Sequence, residues 1–175
     1  MAADAESRRP KAKWAVRDRL VELYRNHGSS ARRLAYLMTG DNALAEDLVH
    51  DAFVRLFRRY GDLRADADIA AYLRRTVVNL AIDHRKRRTR EGDYLRRQKV
   101  EVQGSVTAAV EQQDELWRAL QLVGPRIRAT LVLRYYEDLS ERQTADVLGC
   151  SVGTVKGYAS RGLKQLRSQM EGNDG

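Results

Sequence analysis

The stretch SERQTADVLGCSVGTVKGYASRGLKQLRSQM, residues 140–170, decides the fold because it specifies two helices and the tight turn that joins them. Ser140 and Gln143 match a capping box, in which the serine hydroxyl accepts from the third helical amide and the glutamine returns to the cap amide. Gly149 supplies the positive φ that closes a helix, and Ser151 is suited to cap the next one. A short first helix therefore ends where a second begins.

The second helix of this pair is longer and amphipathic. Apolar side chains recur at spacings of three and four, at Val155, Ala159, Leu163, Leu166 and Met170. Two helices joined by a short turn containing glycine form a helix-turn-helix, whose second helix enters the major groove of DNA. The outward face is polar and basic, and it carries Thr154, Lys156, Tyr158, Arg161 and Lys164. An ordinary helical hairpin with a solvated basic face is the alternative for this stretch alone.

Composition and charge point in the same direction. The chain has 175 residues, enough for one domain or two small ones, and 43% of them are hydrophobic. A net charge of +8 favours a polyanionic partner, with nucleic acid as the first candidate. Cys150 is the only cysteine, which excludes an internal disulfide framework and fits a reducing compartment. No apolar run approaches the length of a membrane span or a signal peptide, so we expect a cytoplasmic protein without membrane insertion.

The N-terminal part begins with a polar segment and then becomes helical. Residues 1–13 contain almost no large apolar side chains and are expected to form a disordered tail. Residues 14–27 predict a first core helix that Gly28 ends, and residues 29–40 predict a second that starts at a serine cap. Only two prolines occur and no strand-like alternation is visible, so the sequence predicts an all-α fold.

The next helix, from Asp41 or Asn42, is unusual because its outward face is acidic in a basic protein. Its apolar stripe is closely helical and consists of Ala45, Leu48, Val49, Ala52, Phe53 and Leu56. Outward lie Glu46, Asp47, His50 and Asp51. This reversal of sign favours a docking surface for a basic partner, and the alternative is a merely solvated helix face.

A further helix, residues 69–87, follows a polar loop at 62–68 and leads into the basic run HRKRRTR, residues 84–90. Such a cluster is typical of binding to DNA, RNA or an anionic membrane. The predicted buried stripe of this helix consists of Ile69, Tyr72, Leu73, Thr76, Val77, Leu80 and His84. Residues 91–111 lose the apolar period and predict a flexible linker. The chain is thus predicted to form two small helical domains, 14–90 and 112–170, with a short tail at 171–175.

Taken in order, these stretches resemble the extracytoplasmic-function sigma factors, the small two-domain initiation subunits of bacterial RNA polymerase. AEDLVHDAF, residues 45–53, is similar to the family's polymerase-binding helix. AYLRRTVVNLAIDHRKRR, residues 71–88, is similar to its promoter-melting helix. GPRIRATLVLRYYEDLSERQTADVLGCSVGTVKGYASRGLKQLR, residues 124–167, is similar to its reader of the upstream promoter element. The resemblance covers nearly the whole chain.

The resemblance implies a protein that binds core RNA polymerase, directs it to promoters and helps to melt the DNA, with no enzymatic activity, cofactor or metal of its own. It implies a polymerase-docking face at Glu46, Asp47, Leu48, Asp51 and Phe53. It implies contacts to the downstream element from Tyr72, Arg74, Arg75, Asn79, Arg85, Arg87 and Arg88. It implies contacts to the upstream element from Ser151, Thr154, Lys156, Tyr158, Arg161 and Lys164. Its partners would be core polymerase, double-stranded promoter DNA and its melted strand, and the resemblance also allows an anti-sigma factor.

The chain departs from the family pattern at the recognition helix. The family commonly has Ser-Arg after the lysine that corresponds to Lys156, whereas this chain has Gly157 and Tyr158. Tyr72, Gly124 and Gln143 also stand where the family usually has Trp, Leu and Glu. The promoter preference therefore does not follow from the resemblance.

Two other functions fit parts of the sequence. A stand-alone helix-turn-helix regulator that binds DNA as a dimer accounts for residues 140–170 but leaves the acidic helix without a purpose. His84 and Arg87 with Tyr158 reproduce tyrosine-recombinase residues, but the spacing is far too long. The histidines and Cys150 show no metal-ligand spacing.

Overall fold

The structure is a computed structural model that describes residues 8–59, 66–95 and 111–171. Within these ranges the chain is helical and contains no strand, which confirms the all-α fold. The helices are α1 (Arg8–Thr39), α2 (Asn42–Arg59), α3 (Asp66–Leu95), α4 (Glu111–Leu122), α5 (Pro125–Leu131) with a π-helical continuation (Val132–Tyr136), α6 (Glu141–Leu148) and α7 (Val152–Glu171).

The first helix is continuous, and the prediction that Gly28 ends it was wrong. The apolar stripe does not break at the glycine, because Leu23, Ala31 and Leu34 lie on one buried face across it. Ser30 does not cap a new helix, since its hydroxyl donates to the carbonyl of His27 at 3.0 Å. Packing of this continuous face outweighs the cost of roughly 1 kcal/mol for a glycine within a helix. The helix also begins earlier than predicted, inside the stretch 1–13, of which residues 1–7 lie outside the described ranges.

Helices α1 and α2 form a hairpin around a tight turn. Gly40 takes a positive φ of 76°, and the side chain of Asp41 accepts from the amide of Leu44 at 3.0 Å. The predicted apolar stripe of α2 is buried along its whole length. The ring of Tyr24 on α1 lies 5.0 Å from that of Phe53 on α2, so the two helices pack along their length.

Helix α3 is buried on a wider face than the sequence predicts. Ile69, Leu73 and Val77 are buried as expected, but so are Val78 and Ile82. The physical reason is that α3 packs on α1 and α2 with one side and on α5 and α6 with another. Tyr72, predicted to be buried, is only half-buried at the edge of the core.

The second domain confirms the predicted helix-turn-helix. Pro125 is the first residue of α5. Ser140 and Gln143 form both hydrogen bonds of the capping box, and Gly149 ends α6 in the left-handed region with a φ of 61°. The hydroxyl of Ser151 accepts from the amide of Thr154 at 3.1 Å, which caps α7. The cap and turn signals at Ser140, Gly149 and Ser151 therefore have their predicted structural roles.

The apolar stripe of α7 is shorter than the spacing predicts. Val155 and Leu166 are buried, whereas Leu163 and Met170 are exposed. Gly162 is buried in their place, because α7 crosses α5 closely at this point. A Cβ on Gly162 would lie 2.7 Å from Ile127 Cγ2.

Gly162→Ala is expected to lower the free energy of unfolding by about 1–2 kcal/mol, because the added methyl group overpacks the α5–α7 contact. Gly157→Ala is the matched control on the same helix, since its Cβ would meet only Arg161 Nη2 at 4.0 Å. That change is expected to raise the free energy of unfolding by about 0.5–1 kcal/mol, the difference in helix propensity. Urea denaturation measures both, and equal effects would contradict the close approach.

The two domains pack against each other and share one hydrophobic core. Buried residues of α1, α2 and α3 belong to one cluster with Val132, Leu133 and Leu148 of the second domain, and α1 and α3 pack directly on that domain. A second, smaller core, which includes Leu120, Val123 and Leu166, lies within the second domain. The predicted linker, 91–111, falls largely outside the described residues, and α3 extends into its first part.

Candidate nucleic-acid interface

The N-terminus of α7 presents donors to solvent. The hydroxyl groups of Ser151 and Thr154 form a hydrogen bond of 2.9 Å, and the first amides of the helix lie beside them. The N-terminal end of a helix carries a partial positive charge and free N–H groups, so it favours a phosphate. The predicted upstream-element residues all lie on this helix or its cap, and all are exposed or half-buried.

The basic side chains of α7 are held in place by weak local contacts. Arg161 stacks over the ring of Tyr158, with its guanidinium carbon 5.1 Å from the ring centroid, and donates to the carbonyl of Gly157 at 3.2 Å. Lys156 lies 3.6 Å from Glu141 in an exposed ion pair. Such exposed pairs contribute about 1 kcal/mol or less, so a DNA phosphate can replace the carboxylate.

Helix α3 carries a second polar face. Arg75, Asn79 and Arg87 are exposed and lie along one side of the helix at spacings of four and eight. Arg88 is also exposed, but it follows Asn79 by nine residues and lies on a different side of the helix, beside Arg85 and facing α1 and α2. Arg75, Asn79 and Arg87 therefore form a face that a DNA backbone can approach.

Two predicted downstream-element residues lie elsewhere. Arg74 donates through Nε to Glu137 of the second domain at 2.9 Å, and Arg85 donates through Nη2 to the carbonyl of Gln121 at 2.7 Å. Burial and the neighbouring Arg88 lower the pKa of Arg85. Both half-buried arginines therefore bind groups of the second domain in this structure.

A recess of about 300 Å³ opens between α1, α2 and α3 beside this cluster. Met38, Leu44 and Ala81 form its apolar wall, and Arg85 and Arg88 supply its positive charge. It extends the basic surface at the end of α3.

The acidic face of α2 is exposed as predicted, with Asp47 and Asp51 open to solvent. Glu46 is also exposed and lies 2.9 Å from Arg32 of α1. The prediction was wrong for Leu48 and Phe53, which are buried in the core and point away from this face. They belong to the stripe that packs α2 on α1.

Two exposed apolar residues that the sequence reading missed continue the acidic face. Val54 and Phe57 are 38% and 48% exposed and follow Asp47 by seven and ten residues, which places them on the same side of the helix. The helical periodicity of α2 contains the signal, since both residues fall outside its buried stripe.

Comparison with known proteins agrees with this arrangement. The Sigma-70 region 2 family matches residues 23–91, and the Sigma-70, region 4 family matches residues 113–166. An RNA polymerase sigma-E factor of Streptomyces avermitilis is 33% identical over 163 residues, which cover 87% of this chain and 86% of that protein. The chain belongs to the extracytoplasmic-function sigma factors. It is a sigma factor that directs RNA polymerase in transcription initiation.

A second relative supports the same assignment, and two solved structures share the fold. The sigma factor is 32% identical over 145 residues to the ECF RNA polymerase sigma factor SigM of Mycobacterium tuberculosis, covering 83% of this chain and 74% of that protein. Its fold is similar to the sigma factor RpoE of Bartonella quintana, solved in complex with the anti-sigma factor NepR, with a TM-score of 0.70, 20% identity and coverage of 89% and 96% of the two chains. CnrH, solved in complex with the cytosolic domain of CnrY, gives a TM-score of 0.64 at 22% identity, with coverage of 87% and 88%.

Arg128 is the residue of this sigma factor that sequence reading missed most completely. It is fully buried, and desolvation followed by repulsion from Arg85 lowers its pKa to about 9. Its Nε donates to the carbonyl of Leu120 at 2.6 Å, and its Nη1 donates to the carbonyl of Met38 at 2.7 Å. Nη2 donates to the carbonyl of Gln121 at 2.6 Å. The guanidinium therefore satisfies the terminal carbonyls of both α1 and α4, where the helix dipoles also favour a cation.

Within the described ranges, no group of acidic, histidine or cysteine side chains is arranged to hold a metal ion. None of the helices described there combines the length and the apolar character that crossing a membrane requires.

Proposed function

We propose that this sigma factor contacts core RNA polymerase with the outer face of α2 and reads promoter DNA with α7 and the outer face of α3. The observation that supports this most strongly is the separation of charge on the surface. An acidic and apolar face on α2 is distinct from the basic faces on α3 and α7. The acidic face would repel DNA, and the basic faces would repel a basic protein surface. The two kinds of face therefore suit two chemically different partners.

The docking face consists of Asp47, Asp51, Val54 and Phe57. Its acids suit a basic surface on the polymerase, and the half-exposed Phe57 supplies an aromatic anchor of the kind that dominates interface energies. Buried Leu48 and Phe53 hold this face in position by packing α2 on α1.

At the upstream element, Ser151 and Thr154 would bind backbone phosphate at the start of α7. Arg161 is suited to a bidentate contact with guanine, with Tyr158 beneath it as a rigid support. Lys156 and Lys164 would add phosphate contacts that position the helix without specifying sequence.

At the downstream element, Arg75, Arg87 and Arg88 would bind phosphates and Asn79 would donate to a base edge. Opening the duplex requires capture of an unstacked base, which costs a few kcal/mol. The loop at 61–68, which precedes α3, is our candidate for the wall of that pocket. Residues 60–65 lie outside the described ranges, and the side chains of 66–68 are not described, so this stays a prediction.

The protein would do no covalent chemistry itself, and it would act in the cytoplasm, where bacterial transcription takes place. An anti-sigma factor is a further partner that the two solved sigma factors in complex suggest.

Asp47→Lys tests the docking face. Reversal of this exposed charge is expected to weaken binding to core polymerase about tenfold, because rim charges set electrostatic attraction between partners. Asp146→Lys, the same change on an exposed residue of α6, is the matched control and should leave polymerase affinity unchanged. Fluorescence titration of labelled protein with core polymerase measures both, with circular dichroism to verify folding. Equal affinities for the two variants would refute this use of α2.

A further inference from the structure

The interface between the region 2 and region 4 domains, called the seam below, contains an arginine that DNA binding would use. Arg74 lies on α3 one residue before the exposed Arg75, but its guanidinium turns to Glu137. The side chains of Arg74 and Glu137 retain only 25% and 16% of their exposure. In this arrangement Nε of Arg74 is occupied by Glu137 and most of the side chain is shielded from a DNA backbone.

A π-helical turn positions Glu137 for this contact. The helix that begins at Pro125 widens at Val132–Tyr136, and the amide of Glu137 donates to the carbonyl of Val132 at 2.9 Å. Asp138 follows with a φ of 53°, which is uncommon for a residue other than glycine. Insertions of this type frequently mark functional sites in helices. The turn ends the helix and directs one carboxylate at α3 and the next at solvent.

Other contacts across the seam are polar and specific. The guanidinium groups of Arg85 and Arg128 reach carbonyls of the opposite domain, at Gln121 and Met38. The rings of Tyr36 and Trp117 stack with centroids 5.8 Å apart. The two domains therefore meet in one defined orientation.

The seam also has features that lower its stability. A cavity of about 40 Å³, lined by residues of both domains, lies beside the Arg74–Glu137 pair. The buried Trp117 Nε1 and Gln121 Nε2 find no hydrogen-bond partner within the described residues. Unsatisfied buried donors cost free energy in the closed arrangement that solvent would return on opening.

We propose that Glu137 closes the two domains on each other by occupying Arg74, and that this contact competes with promoter DNA for the same guanidinium. A carboxylate and a phosphate oxygen accept from the same N–H donors, so Glu137 and DNA compete for Nε of Arg74. Glu137, at the end of the π-helical turn, therefore has its binding partner on α3 of the same chain. The apparent DNA affinity of the protein is then the affinity of the open state multiplied by the fraction of molecules that are open. This inference rests on the proposed function in one respect, that α3 binds promoter DNA, and it extends that binding to Arg74.

A distance measurement tests the closed state without polymerase or promoter, so it stays informative even if the protein lacks sigma activity. Fluorophores on Ser29→Cys and Gln165→Cys, in the full chain with Cys150→Ala, report the separation of the domains by energy transfer. With Glu137 retained, most molecules should show a short distance between the two fluorophores. With Glu137→Gln, a clear fraction of molecules should show a longer distance. Identical distributions would overturn the proposal.

DNA affinity tests the competition. Anisotropy of a labelled duplex of mixed sequence, about 30 base pairs long, should show about fivefold tighter binding for Glu137→Gln, as expected if the unsubstituted chain is mostly closed. Asp138→Asn removes the same charge from the neighbouring exposed residue and is the matched control. In an Arg74→Ala background the gain from Glu137→Gln should disappear. Equal tightening by the two single variants, or a gain that persists without Arg74, would refute competition at this guanidinium.

Discussion

Arg128→Met is expected to lower the free energy of unfolding by about 3–5 kcal/mol, because it leaves the buried carbonyls of Met38 and Leu120 without the donor they have in the folded protein. The carbonyl of Gln121 loses one of its two donors and keeps the bond from Arg85. Methionine has a similar length and removes little packing volume, so the loss reports the hydrogen bonds.

Urea denaturation followed by circular dichroism measures this loss. Arg126→Met is the matched control two residues earlier, since Arg126 makes a single bond of 3.3 Å to the carbonyl of Leu148. Its expected cost is about 1 kcal/mol or less. If both variants lose the same small amount of unfolding free energy, the hydrogen bonds of Arg128 do not stabilise the fold as expected.

Arg161→Ala is expected to weaken promoter binding by the polymerase holoenzyme by about 1–3 kcal/mol and to relax the preference at one base pair. Arg161 is exposed and supported by Tyr158, so its side chain is available to a base edge at little entropic cost. The fold should not change, because no buried group depends on it.

Selection from a promoter library by reconstituted holoenzyme measures this preference. Arg167→Ala, an exposed arginine farther along α7, should weaken binding to all sequences slightly and equally, as loss of a phosphate contact would. Unchanged selectivity of Arg161→Ala would remove Arg161 from the base-reading role.

Local structure in residues 140–170 could be predicted because its determinants are local. The capping box at Ser140, the left-handed Gly149 and the cap at Ser151 each depend on neighbours within three or four residues. The same holds for the buried stripe of α2, whose period alone separates its two faces.

The remaining features depend on residues far apart in sequence. Arg128 looks like a surface arginine in its own helix, and only the ends of α1 and α4 explain its burial. Gly28 looks like a helix terminator until the packing of α2 against both halves of α1 is known. Arg74 looks like a free phosphate ligand until Glu137, 63 residues later, takes its guanidinium.

The docking face shows the same limit in a milder form. Phe53 and Phe57 are both aromatic and one helical turn apart, and the family resemblance pointed to Phe53. The structure buries Phe53 and exposes Phe57. The residues of α2 that can bind a partner are those that remain exposed after the core has formed. They could therefore be identified only once the packing of α2 was known.

Run-off transcription by core RNA polymerase, with and without this protein, on a genomic promoter library tests sigma activity most directly. Docking, promoter recognition and strand opening must all succeed for a transcript to appear. The expected result is a set of transcripts with defined start sites that share two sequence elements and appear only when the protein is added. The same transcripts with and without the protein, despite its binding to duplex DNA, would contradict sigma activity and favour a stand-alone regulator.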